Sequence, residues 1–204
     1  NADRQGRHHD DQLTMSASQT VLSSGKTPAE ICRTAELGDD VLKILDEHAD
    51  GKQFVERLVA DGKARQAIGW LAHALPERPA VWWAWFCARH AHGEAPPKAI
   101  ADALEATKAW IAVPNEVNRR EAMRHGEAVT FDVPAGCAAL AAFFSGGSIG
   151  PPDHDAVPPP ANVAAKIISA DQLEQALREQ ARLSSGAALG EVLVGLGFIT
   201  PSQR

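Results

Sequence analysis

The densest group of side chains that could do chemistry lies in VWWAWFCARHAH, at residues 81–92. Trp82 and Trp83 could form a stacking platform for sugars or bases, and with His90 they are candidates for lining a pocket. The run from Val81 to Ala88 is apolar on every side, which is instead typical of a central buried helix. The sequence leaves both interpretations open: a core helix, or the wall of a small-molecule pocket.

Cys87, His90 and His92 come closest to a metal-ligand cluster. Cys87 and His90 are one helical turn apart, but His92 lies about 200° around the helix from His90, so the three do not converge. Neither a Cys-x-x-Cys nor a His-Glu-x-x-His pattern occurs in the chain. We therefore predict no metal site and no cofactor.

Two further stretches could bind anions. The Gly-rich SGGSIGPP at 145–152 lacks the spacing and the Lys of a phosphate loop, so it predicts the end of a helix. Arg120 and Arg124 are four residues apart on one predicted helix and could hold an anionic partner. Pairing with Glu116 or Glu121 on the same helix is the plainer interpretation. No catalytic constellation emerges, and whether the protein is an enzyme is left uncertain, leaning to no.

The elements that must position these side chains are all predicted to be helices. Apolar residues recur at helical spacing between residues 27 and 148, and Pro and Gly punctuate the segments. AVTFDV at 128–133 alternates only weakly and is predicted to be a loop. The pattern predicts an all-α fold of about seven or eight short helices in this region, antiparallel to their neighbours across short connections.

Composition excludes some classes of partner. The net charge of −6 provides no basic footprint for nucleic acid. The three cysteines are widely spaced and odd in number, which favours a reducing, cytoplasmic location. Within the uncharged stretch 133–152 only residues 135–144 are strongly apolar. A membrane span needs about 20 apolar residues, so we predict a buried helix there and no membrane span.

The sequence divides into four parts. Residues 1–24 are polar, reach their first Met at Met15, and are predicted to be a disordered or non-native leader. Residues 25–148 form the helical domain, and residues 149–165 form a Pro-rich linker or arm that cannot continue a helix. Residues 166–204 form a small helical unit that is predicted to be truncated.

The central block is similar to a known family. AIGWLAHALPERPAVWWAWFCAR, AWIAVPNEVNRREAM and PAGCAALAAFFSGGSIGPP together resemble an uncharacterised bacterial helical domain family of unknown function. The resemblance covers roughly residues 27–165 and implies no activity and no functional residues. It does imply that the Pro-rich arm belongs to one continuous domain.

The tail carries a second resemblance. Its ordered Leu, Gly and Gln spacing resembles the N-terminal domain of type II secretion and type IV pilus assembly ATPases, some of which bind cyclic di-GMP. The resemblance implies these ligand-binding residues: Leu173, Leu177, Gln180, Leu189, Gly190, Leu193 and Gly197. Ala188 stands where that family has Arg, and the chain ends at Arg204, where a second motif would begin.

Three functions follow as hypotheses. The first is a non-enzymatic bacterial interaction or accessory protein, secretion- or pilus-associated, whose tail docks a protein partner or senses a cyclic dinucleotide. The second is a small-molecule enzyme or binding pocket around Trp82, Trp83 and His90. The third is a structural helical scaffold.

Overall fold

A computed structural model describes residues 26–46 and 51–182, apart from the side chains of residues 46, 173 and 176–182. Regular structure in these ranges consists of nine helices and no strand. The helices are α1 Pro28–Thr34, α2 Asp39–Asp46, α3 Gly51–Ala60, α4 Ala64–Ala74, α5 Glu77–His92, α6 Lys98–Ala112, α7 Glu116–Val129, α8 Pro134–Phe144 and α9 Val163–Arg182. The predicted all-α class is confirmed, and eight of these helices lie before residue 148.

Local sequence signals start several of the helices. The Thr27 hydroxyl accepts a hydrogen bond from the Glu30 N–H, and the Glu30 carboxylate accepts one from the Thr27 N–H at 2.7 Å, which completes a capping box. Asn115 caps α7 by accepting from the Asn118 N–H at 2.8 Å. Each cap satisfies N–H groups that the helix cannot pair internally, so these helix starts could be predicted from a few residues.

Helix α8 is the centre of the main core. It packs against α5, α6, α7 and α9, and its small side chains allow the neighbouring backbones to approach closely. Five alanines of this helix are completely buried: Ala135, Ala138, Ala139, Ala141 and Ala142. The predicted buried helix is confirmed, and no helix within the described ranges is long and apolar enough to cross a membrane.

Gly136 permits the closest of these contacts, and it provides a test of the packing. A Cβ atom on Gly136 would overlap the carbonyl oxygen of Thr130 in the turn that precedes α8. We expect Gly136→Ala to lower the free energy of unfolding by about 1–3 kcal/mol, because the backbone of the turn has to move. Urea denaturation measures this change.

Gly69 in α4 provides the matched control. A Cβ atom there would meet Leu37 and Ser169 only at ordinary contact distances of 3.7 Å. Gly69→Ala should therefore leave the protein as stable as before or stabilise it by about 0.5–1 kcal/mol, since Gly is unfavourable within a helix. Equal destabilisation by both substitutions would show that the α8 contact is not specific.

A smaller core lies under the N-terminal helices α1 to α4. Phe54 and Trp70 meet edge to face, with ring centroids 5.5 Å apart, and Ile31 and Leu58 pack around them. Helix α4 also contributes Ile68 to the main core, so it joins the two clusters.

Helix α9 packs against α4, α5 and α8. Ile168 is 1% exposed and belongs to the main core, and Asp171, Gln172 and Gln175 lie on the same buried face. The division of the chain into domains stays a prediction. The first turns of the predicted C-terminal unit nevertheless contribute to the core of the helical domain.

Candidate functional site

A cleft forms where the Pro-rich segment returns to the helical domain and enters α9. Its volume is about 200 Å³. Its walls come from the end of α4, the start of α5, the end of α8 and residues 159–165, and its polar lining side chains are Lys26, His73, Glu77 and Asn162. We call it the His73 cleft.

His73 is the most unusual group in the cleft, because it is only 6% exposed. Its Nδ1 lies 2.9 Å from the carbonyl oxygen of Gly69. A carbonyl oxygen can only accept, so Nδ1 carries the proton and Nε2 of the neutral ring is left as an acceptor. Nε2 is buried and has no hydrogen-bond partner within the described ranges. Burying a polar atom without a partner costs about 1–3 kcal/mol, which makes Nε2 a candidate ligand contact.

The surroundings of His73 keep it neutral. Burial lowers the pKa of His73 most strongly, and the positive charges of Lys26 and Lys166 lower it further. The hydrogen bond to Gly69 and the negative charge of Glu36 act in the opposite direction. The net shift is below the usual value of 6.5, so the unprotonated Nε2 is the normal state at neutral pH.

This shift predicts a pH dependence of stability. The unfolded chain protonates His73 near pH 6.5, while the folded chain resists protonation. The unfolded state therefore binds more protons as the pH falls below 6.5, and the stability that is present above this pH is progressively lost. We expect His73→Gln to reduce that loss between pH 7 and 5 in urea denaturation. His90→Gln is the matched control, because His90 is exposed, and equal slopes in all three proteins would contradict the prediction.

The start of α9 contributes hydrogen-bond donors to the lining of the cleft. Helix α9 begins here, and the Val163 N–H donates to the Pro160 carbonyl at 3.3 Å. The N–H groups of Ala164 and Ala165 find no acceptor among the residues the structure describes. Lys26 Nζ lies 3.5 Å from Asn162 Oδ1 and forms no ion pair within the same part of the chain.

The acidic lining residue is Glu77, in the first turn of α5. The side chain is exposed at the rim, and desolvation raises its pKa above the usual value. The lining of the cleft thus includes a neutral His, an exposed carboxylate, a Lys and the N–H groups at the start of α9. This arrangement can hold a small polar ligand.

The aromatic residues predicted to line a pocket lie elsewhere. Trp83 is 7% exposed and belongs to the main core. Trp82 is half-buried and stacks on Phe86, with centroids 5.5 Å apart, while His90 is exposed. The structure does not bring Trp83 and His90 to one surface, and none of the three residues lines the His73 cleft.

The predicted tail site falls largely outside the described residues. The structure describes the backbone of Leu173, Leu177 and Gln180 as part of α9, but it does not describe their side chains. Leu189, Gly190, Leu193 and Gly197 lie beyond residue 182, where the described chain ends. Their role in binding stays a prediction.

The arginines of α7 are engaged within the protein. Arg120 pairs with Glu116 at 2.6 Å and Arg124 pairs with Glu121 at 2.7 Å, which confirms the plainer interpretation of this helix. Arg119, on the same highly charged helix, is only 3% exposed. The local sequence does not indicate this burial, because it depends on the loop that follows α8.

Arg119 holds the end of α8. Its guanidinium donates to the Phe143 carbonyl at 2.5 Å, to the Ser148 carbonyl at 2.6 Å and to both carboxylate oxygens of Glu116. It also lies 4.5 Å from the centre of the Phe143 ring. The first contact satisfies a carbonyl group that α8 leaves unpaired at its C-terminus, and the second holds the loop that follows the helix. Arg119 is therefore a structural residue rather than a free anion-binding group.

His73 was missed by the sequence reasoning. It interrupts the apolar helix AIGWLAHALP just before Pro76, and a single His in such a helix gives no indication of which segments will surround it. Among the described residues no group of three His, Cys, Asp or Glu side chains could hold a metal ion.

Most of the chain matches one protein family. The family model of DUF6931, a family of unknown function, matches residues 54–189, which is more than half of the chain. The match runs from α3 through the Pro-rich segment and α9, and it confirms the predicted resemblance to a family of unknown function. No curated protein and no solved structure matches the chain. The resemblance of residues 166–204 to secretion ATPases gains no support from these comparisons.

Proposed function

The chain belongs to DUF6931, a family of unknown function, and from its own residues we propose that it is a non-enzymatic ligand-binding protein. The ligand occupies the His73 cleft. The observation that carries the proposal is the buried Nε2 of His73, an acceptor without a partner among the residues described. A bound hydrogen-bond donor would remove the cost of that unpaired atom.

The environment of His73 favours binding over catalysis. A general base works best when its pKa lies near the operating pH, and it is usually oriented by a carboxylate. The pKa of His73 is lowered by burial, and its Nδ1 donates to the backbone carbonyl of Gly69. Such a ring is a weak base in a fixed orientation, which suits a constant acceptor for a ligand.

The Pro-rich wall supports a preformed cleft. The base of this arm is pinned because the Ile149 N–H donates to the Val157 carbonyl at 2.8 Å. The Val157 N–H donates to the Ser148 hydroxyl at 3.0 Å. Consecutive prolines at 158–160 then hold the backbone extended. A wall that is already ordered reduces the entropy lost when a ligand binds.

The proposal is tested by amide NMR spectra of the whole chain during titration with small probes. Acetamide, methylammonium chloride and sodium phosphate together present neutral, cationic and anionic donors. We expect at least one of them to change the amide chemical shifts of Ala164, Ala165 and Gly69 saturably. The substitution His73→Phe should abolish these changes. His90→Gln is the control and should leave them unchanged. Absence of saturable shifts with every probe, or shifts that survive His73→Phe, would contradict the proposal.

A second candidate function rests on the tail. The ordered Leu, Gly and Gln spacing over residues 168–199 supports a docking unit for a protein partner in a secretion or pilus context, or a sensor of cyclic di-GMP. Calorimetric titration of cyclic di-GMP into the chain tests the sensing role, with Leu189→Ala as the control. Saturable binding that is lost in Leu189→Ala would support the sensing role, and absence of binding would contradict it.

The cysteines support the predicted cytoplasmic location. Within the described residues none of the cysteines forms a disulfide: Cys32 and Cys87 are buried and Cys137 is half-buried. Burial raises the pKa of Cys32 and of Cys87, so both remain protonated and unreactive at neutral pH. A reducing compartment maintains such thiols.

A further inference from the structure

We propose that the His73 cleft takes a partly protonated oxyanion, of which dihydrogen phosphate is the simplest example. This inference rests on the proposed ligand-binding function and specifies the chemistry of the ligand. It follows from the juxtaposition of two unlike groups: donors that attract an anion, and an acceptor that requires the anion to keep a proton.

The donors come from the start of α9. This helix is 20 residues long and carries no acidic residue in its first turn, so nothing in the helix neutralises the positive end of its dipole. The N–H groups of Ala164 and Ala165 have no acceptor among the described residues, and both residues line the cleft. Lys26 adds a positive charge to the same lining. Free N–H groups at a helix start, together with a cation, suit an oxyanion.

The acceptor is Nε2 of His73. Because Nδ1 donates to Gly69, Nε2 presents a lone pair. A fully deprotonated oxyanion would place its own lone pairs against this nitrogen and leave it unsatisfied. An oxyanion that retains an O–H can donate to Nε2 while its other oxygens accept from the start of α9.

The remaining charges near His73 favour a ligand of low negative charge. Lys166 and Glu36 form an ion pair of 2.9 Å and largely neutralise each other. The Glu77 carboxylate at the rim disfavours additional negative charge on the ligand. The dihydrogen phosphate monoanion therefore fits better than the hydrogen phosphate dianion.

Phosphate and sulfate provide a matched pair of probes. They have similar size and tetrahedral shape, but at neutral pH only phosphate retains an O–H. We expect phosphate to bind the whole chain saturably at pH 6.5 and constant ionic strength, and sulfate to bind at least about tenfold more weakly because Nε2 then stays unpaired. Calorimetry gives both affinities, and NMR shifts at Ala164 and Ala165 locate the binding.

Variants assign the discrimination to His73. His73→Phe should weaken phosphate binding about tenfold and leave sulfate almost unchanged, so that the preference disappears. His90→Gln should keep the wild-type preference. If His73→Phe does not fold, the ratio of the phosphate and sulfate affinities of the wild type still tests the inference. Lys26→Met should weaken the binding of both anions to the same extent.

Each other result overturns the inference in a distinct way. Equal affinity for phosphate and sulfate would mean that the start of α9 binds anions without His73. If phosphate does not bind while acetamide or methylammonium binds saturably, the choice of an oxyanion is wrong and the proposed ligand-binding function stands. Failure of all three probes would overturn both.

Discussion

A chain that ends at Asn162 is expected to lose cooperative unfolding, whereas a chain that ends at Arg182 keeps it. Helix α9 closes the main core against α4, α5 and α8, and Ile168 is buried there. Removing the helix exposes apolar surface on all three partners. Because a domain is stable by only about 5–15 kcal/mol, the loss of a whole packed helix should exceed what the remaining core can tolerate.

Chemical denaturation followed by circular dichroism distinguishes the two truncations. The chain ending at Arg182 should show one sigmoidal transition, and the chain ending at Asn162 should show a broad change without a midpoint. A cooperative transition of unchanged midpoint in the shorter chain would mean that α9 is a separate unit.

A point substitution isolates the same contact. Ile168→Ala removes a buried side chain and should lower the free energy of unfolding by about 2–5 kcal/mol. Ile167→Ala on the next residue is the matched control, because that side chain is only half-buried, and it should cost less than about 2 kcal/mol. Equal costs would argue against the described orientation of α9.

Substitution of Arg119 is expected to have the second large effect. Arg119→Met keeps most of the side-chain volume but removes the guanidinium, and it should lower the free energy of unfolding by about 2–4 kcal/mol, because several buried hydrogen bonds to one charged group are lost. The Phe143 carbonyl, the Ser148 carbonyl and the Glu116 carboxylate all lose donors at once. Urea denaturation at pH 7 measures the effect.

Arg124→Met is the control for Arg119. Arg124 also pairs with a glutamate on α7, but its side chain is 62% exposed. An exposed ion pair contributes about 0–1 kcal/mol, so this variant should be almost as stable as the wild type. A loss of stability for Arg119→Met no larger than for Arg124→Met would show that the contacts at the end of α8 are dispensable.

Sequence reasoning succeeded where short segments decide the structure. The Thr27–Glu30 capping box and the Asn115 cap depend on residues within one turn. The burial of α8 follows from its uniformly apolar composition. Each feature is decided by neighbours in the chain, so it is visible without knowledge of the fold.

The His73 cleft could not be predicted in the same way. Lys26, His73 and residues 159–165 are far apart in the chain and meet only when α9 packs beside α4. Arg119 illustrates the same limit, since its carbonyl partners lie 24 and 29 residues further along the chain. Periodicity identifies which residues share a helix face, but not which distant segment covers that face.

The buried face of α9 shows a different limit. The described part of this face carries Ile168 together with the polar residues Asp171 and Gln172. Part of this polar surface is paired, since the Gln175 amide donates to the Asp171 carboxylate at 2.7 Å. A reading based on apolar residues alone overlooks a helix whose contact face is partly polar.

The most direct test of the account is the ¹⁵N NMR spectrum of the His73 imidazole at pH 7, recorded before and after adding acetamide, methylammonium and phosphate in turn. We predict a protonated Nδ1, an unprotonated Nε2, and a saturable shift of the Nε2 signal on addition of at least one probe, with phosphate the strongest. A protonated Nε2 in the ligand-free protein, or an Nε2 signal that none of the probes moves, would contradict the claim that His73 presents a free acceptor to a ligand.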